Sequence, residues 1–128
     1  MFEEFTQNLK SQSDLPAFLR SQLIGDNAMI EGPFGPQKMV YADYVASGRA
    51  LRVIEDFVAE EVLPYYANSH TRASYCGEKM TAMREAGRGE IARIIGAGPD
   101  YSVIFTGAGA TAAVNRLAKL VGLEDLVR

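Results

Sequence analysis

The chain has 128 residues, 48% of them hydrophobic and 23% charged, which fits one domain or part of one and excludes a disordered chain. A net charge of −3 with scattered Lys and Arg leaves no basic stripe for nucleic acid. The single cysteine, Cys76, excludes an internal disulfide and a cysteine-based metal cluster, and reads as a small, partly buried residue rather than a reactive thiol.

The first ten residues have neither the basic start nor the apolar run of a signal peptide, and no stretch is long enough to span a membrane. A cytoplasmic protein is expected. Residues 14–24 predict a short helix, with Asp14 as N-cap, Pro16 in the first turn, Leu15, Phe18, Leu19 and Leu23 on one face, and Gly25 after the end. Met29-Ile30 and Met39-Val40-Tyr41 read as short extended pieces joined by the turn Gly32-Pro33-Phe34-Gly35-Pro36. Residues 43–48 form an irregular connector. From Ala50 the spacing of Leu51, Ile54, Phe57, Val58 and Val62 predicts a helix closed by Pro64, with Glu55, Asp56, Glu60 and Glu61 as a solvated face.

Residues 65–75 form a polar, aromatic-containing loop with Asn68, Ser69, His70, Thr71 and Arg72 together; on sequence alone the lone histidine reads as incidental. A long helix is expected from Lys79 to Ile95, with Met80, Met83, Gly87, Ile91 and Ile94 on one stripe, Glu85 and Arg88 as an i, i+3 pair, and Gly96 after it. The methionines read as core filler.

The last segment is the most informative. Tyr101–Phe105 has the β-branched and aromatic content of a buried parallel strand, Gly107 and Gly109 allow a sharp turn, and residues 110–121 carry helical spacing at Val114, Leu117, Ala118 and Val121, with Gly122 as C-cap. A glycine turn feeding a helix leaves unpaired N–H groups at the positive end of the dipole, and residues 101–123 contain no acid to repel an anion there. An ordinary turn with a capping threonine is the plainer alternative. The pattern Gly107-x-Gly109-x-x-Ala112 also permits a dinucleotide site with Glu124 or Asp125 as the ribose-binding acid, whereas a Walker A loop fails for want of a following Lys-Ser or Lys-Thr. Strand and helix are half of a βαβ unit, and residues 1–100 offer only two short extended pieces to complete a sheet. The sequence therefore reads as the front part of a longer protein, or as one that borrows strands from a partner.

Residues 105–115, Phe-Thr-Gly-Ala-Gly-Ala-Thr-Ala-Ala-Val-Asn, resemble the Phe-Thr-x-Gly-Ala-Thr segment of class V aminotransferases, with one extra residue before the Gly-Ala-Thr core. This is the cysteine desulfurase and selenocysteine lyase group of fold-type I enzymes. Residues 40–47 are similar to that family's Tyr-Leu-Asp-Asn-Ala-Ala-Thr opening, with Tyr44 in place of the Asn. Residues 66–71 look like its Gly-Asn-Pro-His/Ser segment, with Ser69 in place of the Pro. The resemblance covers residues 37–123. It implies an α/β fold, here mostly helical with the first strand-turn-helix of the large domain. It also implies a helical arm over residues 1–36 and an incomplete transferase domain over 37–128.

The resemblance further implies pyridoxal 5′-phosphate as cofactor, with phosphate contacts from Gly109, Ala110 and Thr111, and an amino-acid substrate near Ala46, Asn68 and His70. The complete enzyme would be a homodimer performing transamination or cysteine desulfurase or lyase chemistry. The family's cofactor-bearing lysine, its ring-binding aspartate and its stacking aromatic lie further downstream. Lys10, Lys38, Lys79 and Lys119 match no such motif, and Cys76 is not at the desulfurase nucleophile's position, so no catalytic residue and no metal site is assigned. This chain alone is expected to be inert. A dinucleotide-binding module and a non-catalytic, truncated interaction protein remain the alternatives.

Overall fold

A computed structural model describes residues 2–123. It falls into two units, Met1–Ala82 and Met83–Arg128. In the first, helix α1 (Glu3–Lys10) has Glu3 and Glu4 in its first turn and Lys10 in its last, charges that complement the helix dipole. It lies within the helical arm expected over residues 1–36, and Phe2, Phe5 and Leu9 stand at helical spacing along it. Phe2 and Phe5 meet Phe57 with ring centroids 6.1 and 5.2 Å apart. Helix α2 (Leu15–Ser21) starts as expected, the Asp14 carboxylate accepting from the Ala17 N–H at 3.0 Å.

A hairpin follows, strands β1 (Met29–Gly32) and β2 (Gly35–Lys38) pairing antiparallel around Pro33-Phe34. The second extended piece thus lies earlier than its apolar residues 39–41 suggest. Gly35, at φ +99°, fixes the register by ending the tight turn there.

The end of α2 is tied to the start of the next helix by an antiparallel bridge, Leu23 to Leu51, and by the Arg52 N–H donating to the Gln22 carbonyl at 2.8 Å. The helix expected from Ala50 to Pro64 is regular only as α3 (Arg52–Phe57); a wide π-turn (Val58–Val62) and a 3₁₀ turn (Leu63–Tyr65) continue it. Pro64 has no N–H to donate, and its ring crowds the carbonyl of Glu60 four residues back, inside the widened turn.

Helix α4 (Tyr75–Ile94) starts a turn before the expected Lys79, because Ser74 Oγ accepts from the Gly77 N–H at 3.1 Å and caps it. Its C-terminal part belongs to the second unit, where Gly96 at φ +67° ends it. Helix α5 (Ala110–Leu120) ends before Gly122 at φ +74°, both as the sequence predicts. No helix among the described residues is long and apolar enough to cross a membrane.

The expected strand at Tyr101–Phe105 is the main correction. Residues 101–107 form no ladder, and Tyr101, Ile104 and Phe105 are 74%, 52% and 52% exposed. The side-chain content suits a buried strand, but a strand exists only with a neighbour to exchange hydrogen bonds. The described residues provide none beside it. Of the stripe expected along residues 110–121, Ala118 is half-buried, but Val114, Leu117 and Val121 are each about three-fifths exposed. Met80 alone is a buried apolar side chain among the described residues. The chain exposes 10269 Å², where even two separate compact bodies of its total mass would expose about 8,000 Å².

Candidate functional site

Ala46 sits on a short turn in which the N–H groups of Ala46 and Ser47 both reach the Asp43 carbonyl at 3.2 Å. Tyr41 braces this turn by donating its hydroxyl to the Ser47 carbonyl at 2.6 Å. Its ring packs edge-on against Tyr44 at 5.1 Å and carries the Arg49 guanidinium at 5.2 Å. Arg49 in turn donates to the Ile24 carbonyl at 2.7 Å, which fastens the turn to the end of the arm. Ala46 itself is exposed.

Asn68 and His70 share the loop between Tyr65 and Tyr75, and those two rings meet at 5.8 Å, closing the loop at its base. Lys79 Nζ lies 3.5 Å from the Tyr65 ring centroid and 3.4 Å from Glu61 Oε2. The far side of the loop is held at Thr71. Its hydroxyl accepts from the Ala73 N–H at 3.2 Å, and its carbonyl lies 3.2 Å from Thr81 Oγ1, which donates at 2.7 Å to the Gly77 carbonyl one turn back in α4. Gly77 allows α4 to approach here: a Cβ on it would stand 2.8 Å from the Thr71 carbonyl oxygen. Asn68 and His70 are exposed, with no hydrogen bond to another described residue. Their side chains are therefore available to a ligand on a backbone fixed at both ends. The sequence reading found the loop but missed Gly77, Thr81 and the Tyr65–Tyr75 pair, which hold it.

In the second unit, Gly109 precedes α5 in extended conformation (φ −148°, ψ 164°), and no side chain caps the helix. The Ala112 N–H turns back to the Gly109 carbonyl at 3.2 Å, while the N–H groups of Ala110 and Thr111 donate to no described residue. The capping threonine of the plainer alternative is therefore not made.

The two turn glycines differ in kind. Gly107, at φ +153°, has backbone few other residues adopt, and a Cβ there would lie 3.1 Å from the Ala112 side chain. Gly109 is under no such demand, and a Cβ on it would meet open space. The open face beside Gly109, the unpaired N–H groups and the Thr111 hydroxyl suit a phosphate. A hollow of about 470 Å³ in this unit is bordered by Thr106, Ala112, Asn115, Arg116 and Lys119, and none of Gly109, Ala110 and Thr111 lines it. Leading into the turn, the Val103 carbonyl accepts from Arg88 Nε at 2.8 Å. The acids proposed for a ribose, Glu124 and Asp125, lie outside the described residues.

The structure thus places Asn68 and His70 on one loop and Ala46 on its own turn within the first unit. Gly109, Ala110 and Thr111 share one helix start within the second. Among known families, the model described as aminotransferase class-V matches residues 40–126, which spans all six positions. No curated protein and no solved structure gives a significant match.

Proposed function

The chain belongs to the class V aminotransferase family, a pyridoxal-phosphate-dependent group, and on that footing we propose that it contributes the phosphate cup and substrate-side loops of an enzyme acting on an amino acid. The observation that carries this reading is the uncapped start of α5, where two backbone N–H groups are unpaired and Gly109 leaves the approach clear. Gly109, Ala110 and Thr111 hold the phosphate, through backbone donors, one hydroxyl and the positive end of the helix. Asn68 and His70 present hydrogen-bonding groups to the amino acid from a loop closed at its base, and Ala46 leaves room beside it. When bound, pyridoxal phosphate supplies the electron sink for bond-breaking at the substrate's α-carbon.

Transamination and desulfurase or lyase chemistry both fit this assignment. No residue of this chain matches the family's cofactor-bearing lysine or ring-binding acid, so on this reading the chain alone is inert and the enzyme works as a cytoplasmic homodimer. The same glycine turn taken alone admits a dinucleotide, but membership of this family favours the phosphate of pyridoxal phosphate. The uncovered face of α5 favours a second reading, a non-catalytic homologue that lends its helices to a partner's sheet.

The test is to titrate the chain with pyridoxal phosphate and with NAD, following thermal stability and absorbance. We expect stabilisation by pyridoxal phosphate only, weakened about tenfold in affinity by Thr111→Val through loss of a hydrogen bond to a charged group. Stabilisation by NAD alone would overturn the assignment.

A further inference from the structure

The residues leading into the glycine turn have no strand beside them, yet one of their carbonyls is held from α4. Arg88 Nε donates to the Val103 carbonyl at 2.8 Å. The guanidinium is itself oriented, because Arg88 Nη1 lies 3.3 Å from both carboxylate oxygens of Glu85, one helical turn earlier. Both Arg88 and Val103 are half-buried, so the bond is partly shielded from competing water. Four residues beyond Val103, Gly107 comes against the Ala112 side chain in the first turn of α5. Contacts therefore run from Glu85 through Arg88 to Val103, and the chain leads on from there to the turn that carries Gly109, Ala110 and Thr111.

We propose that Arg88 is a positioning residue: it anchors the 101–107 segment to α4 at Val103 and so sets the placement of the glycine turn. The inference about position stands on the geometry; its consequence for ligand rests on the reading of that turn as a phosphate cup. The planar guanidinium suits the task because separate N–H groups face the carbonyl and the carboxylate at once. An ammonium provides no such fork. Glu85 acts one step further back, by keeping the fork aimed.

The test uses nuclear magnetic resonance on the full chain, with Arg84, one turn away and without a described partner, as the internal reference. In the parent protein the Arg88 Nε–H should exchange with water at least about tenfold more slowly than that of Arg84, as a donor in a charge-assisted bond does. The Val103 carbonyl carbon should shift on Arg88→Ala, with changes running through residues 104–112 and sparing the Thr71–Gly77 region. Glu85→Gln, on the exposed side of the pair, should keep the Val103 shift but speed the Nε–H exchange. Pyridoxal phosphate affinity should fall about tenfold in Arg88→Ala and recover in part in Arg88→Lys.

An Arg88 Nε–H exchanging as fast as that of Arg84, with a Val103 shift indifferent to the substitution, would overturn the proposal. If the parent chain binds no pyridoxal phosphate, the phosphate assignment fails separately, and the exchange and carbon shifts still decide the role of Arg88.

Discussion

The two units solve the problem of a thin core differently. In the first, residues far apart in sequence are joined by specific contacts: Arg49 to Ile24, Tyr65 to Tyr75, Thr81 to Thr71, Phe5 to Phe57. In the second, Val114 and Leu117 on α5 and Val121 just after it are largely exposed, and Arg88 on α4 donates to the Val103 carbonyl. The difference teaches that the loop between Tyr65 and Tyr75 carries its own support. The turn at Gly107 and Gly109 is shaped by Gly107 but has no sheet beside it among the described residues.

Hydrogen exchange should show the contrast at its largest. Helix α5 has 11 residues and an uncovered apolar face, and a helix that short is marginal in water, so its amides should be protected less than about tenfold. The start of α4, with Met80 and Gly77 buried and Ser74 as cap, should exceed that by about tenfold or more. Equal protection in the two segments would break the comparison.

One substitution made twice in the same helix sharpens it. Gly77→Ala forces a Cβ to 2.8 Å from the Thr71 carbonyl oxygen and should destabilise the first unit by about 1–3 kcal/mol, in the range of overpacked sites. Gly87→Ala meets nothing within 4 Å and should stabilise by about 0.5–1 kcal/mol, the helix propensity difference. Urea unfolding followed by circular dichroism reads both signs. A Gly77→Ala chain as stable as the parent would mean that the Thr71 loop yields freely and is not held as described.

A second pair separates shape from ligand in the glycine turn. Gly107→Ala meets both a strained φ of +153° and the Ala112 side chain, and should cost about 1–2 kcal/mol. Gly109→Ala has ordinary extended backbone and open space, so its stability should change by less than about 0.5 kcal/mol. Its pyridoxal phosphate affinity should nonetheless drop, because the new methyl occupies the approach to the Ala110 and Thr111 N–H groups. Unchanged affinity in Gly109→Ala, measured by absorbance titration, would place the phosphate elsewhere.

Much of the helical frame was legible because its signals are local. Asp14 before Pro16 started α2, while Gly96 and Gly122 ended α4 and α5, each through chemistry confined to one turn. The family was legible in three ordered motifs, which the match over residues 40–126 bears out. What failed depended on distant partners. Tyr101–Phe105 has the composition of a strand and no neighbour to make it one. The start of α4 was hidden because Gly77 weakens its first turn locally while Thr71 and Ser74 favour it. Phe2 and Phe5 acquire meaning only once Phe57 is near them. The six proposed contact residues were named from resemblance, and nothing in their own spacing distinguished Asn68 or His70 from ordinary loop polarity.

The smallest effect tests whether the loop's base is held as firmly as its far side. Lys79 is 19% exposed, above the Tyr65 ring and beside Glu61, whose side chain is 57% exposed. The carboxylate is well solvated, so salt screens the ion pair, whereas the ring contact is less sensitive to ionic strength. Lys79→Gln should therefore cost about 0.5–1 kcal/mol at low salt, most of it from the cation over the ring. Lys79→Arg should retain that part, since a guanidinium also stacks on an aromatic face. Repeating the unfolding curves in 1 M salt divides the contributions: a cost that vanishes there belongs to Glu61, and one that survives belongs to Tyr65. Survival is the expected result. It would place the closure of the Asn68–His70 loop on an aromatic cluster rather than on surface charge, which is the feature that sets the first unit apart from the second.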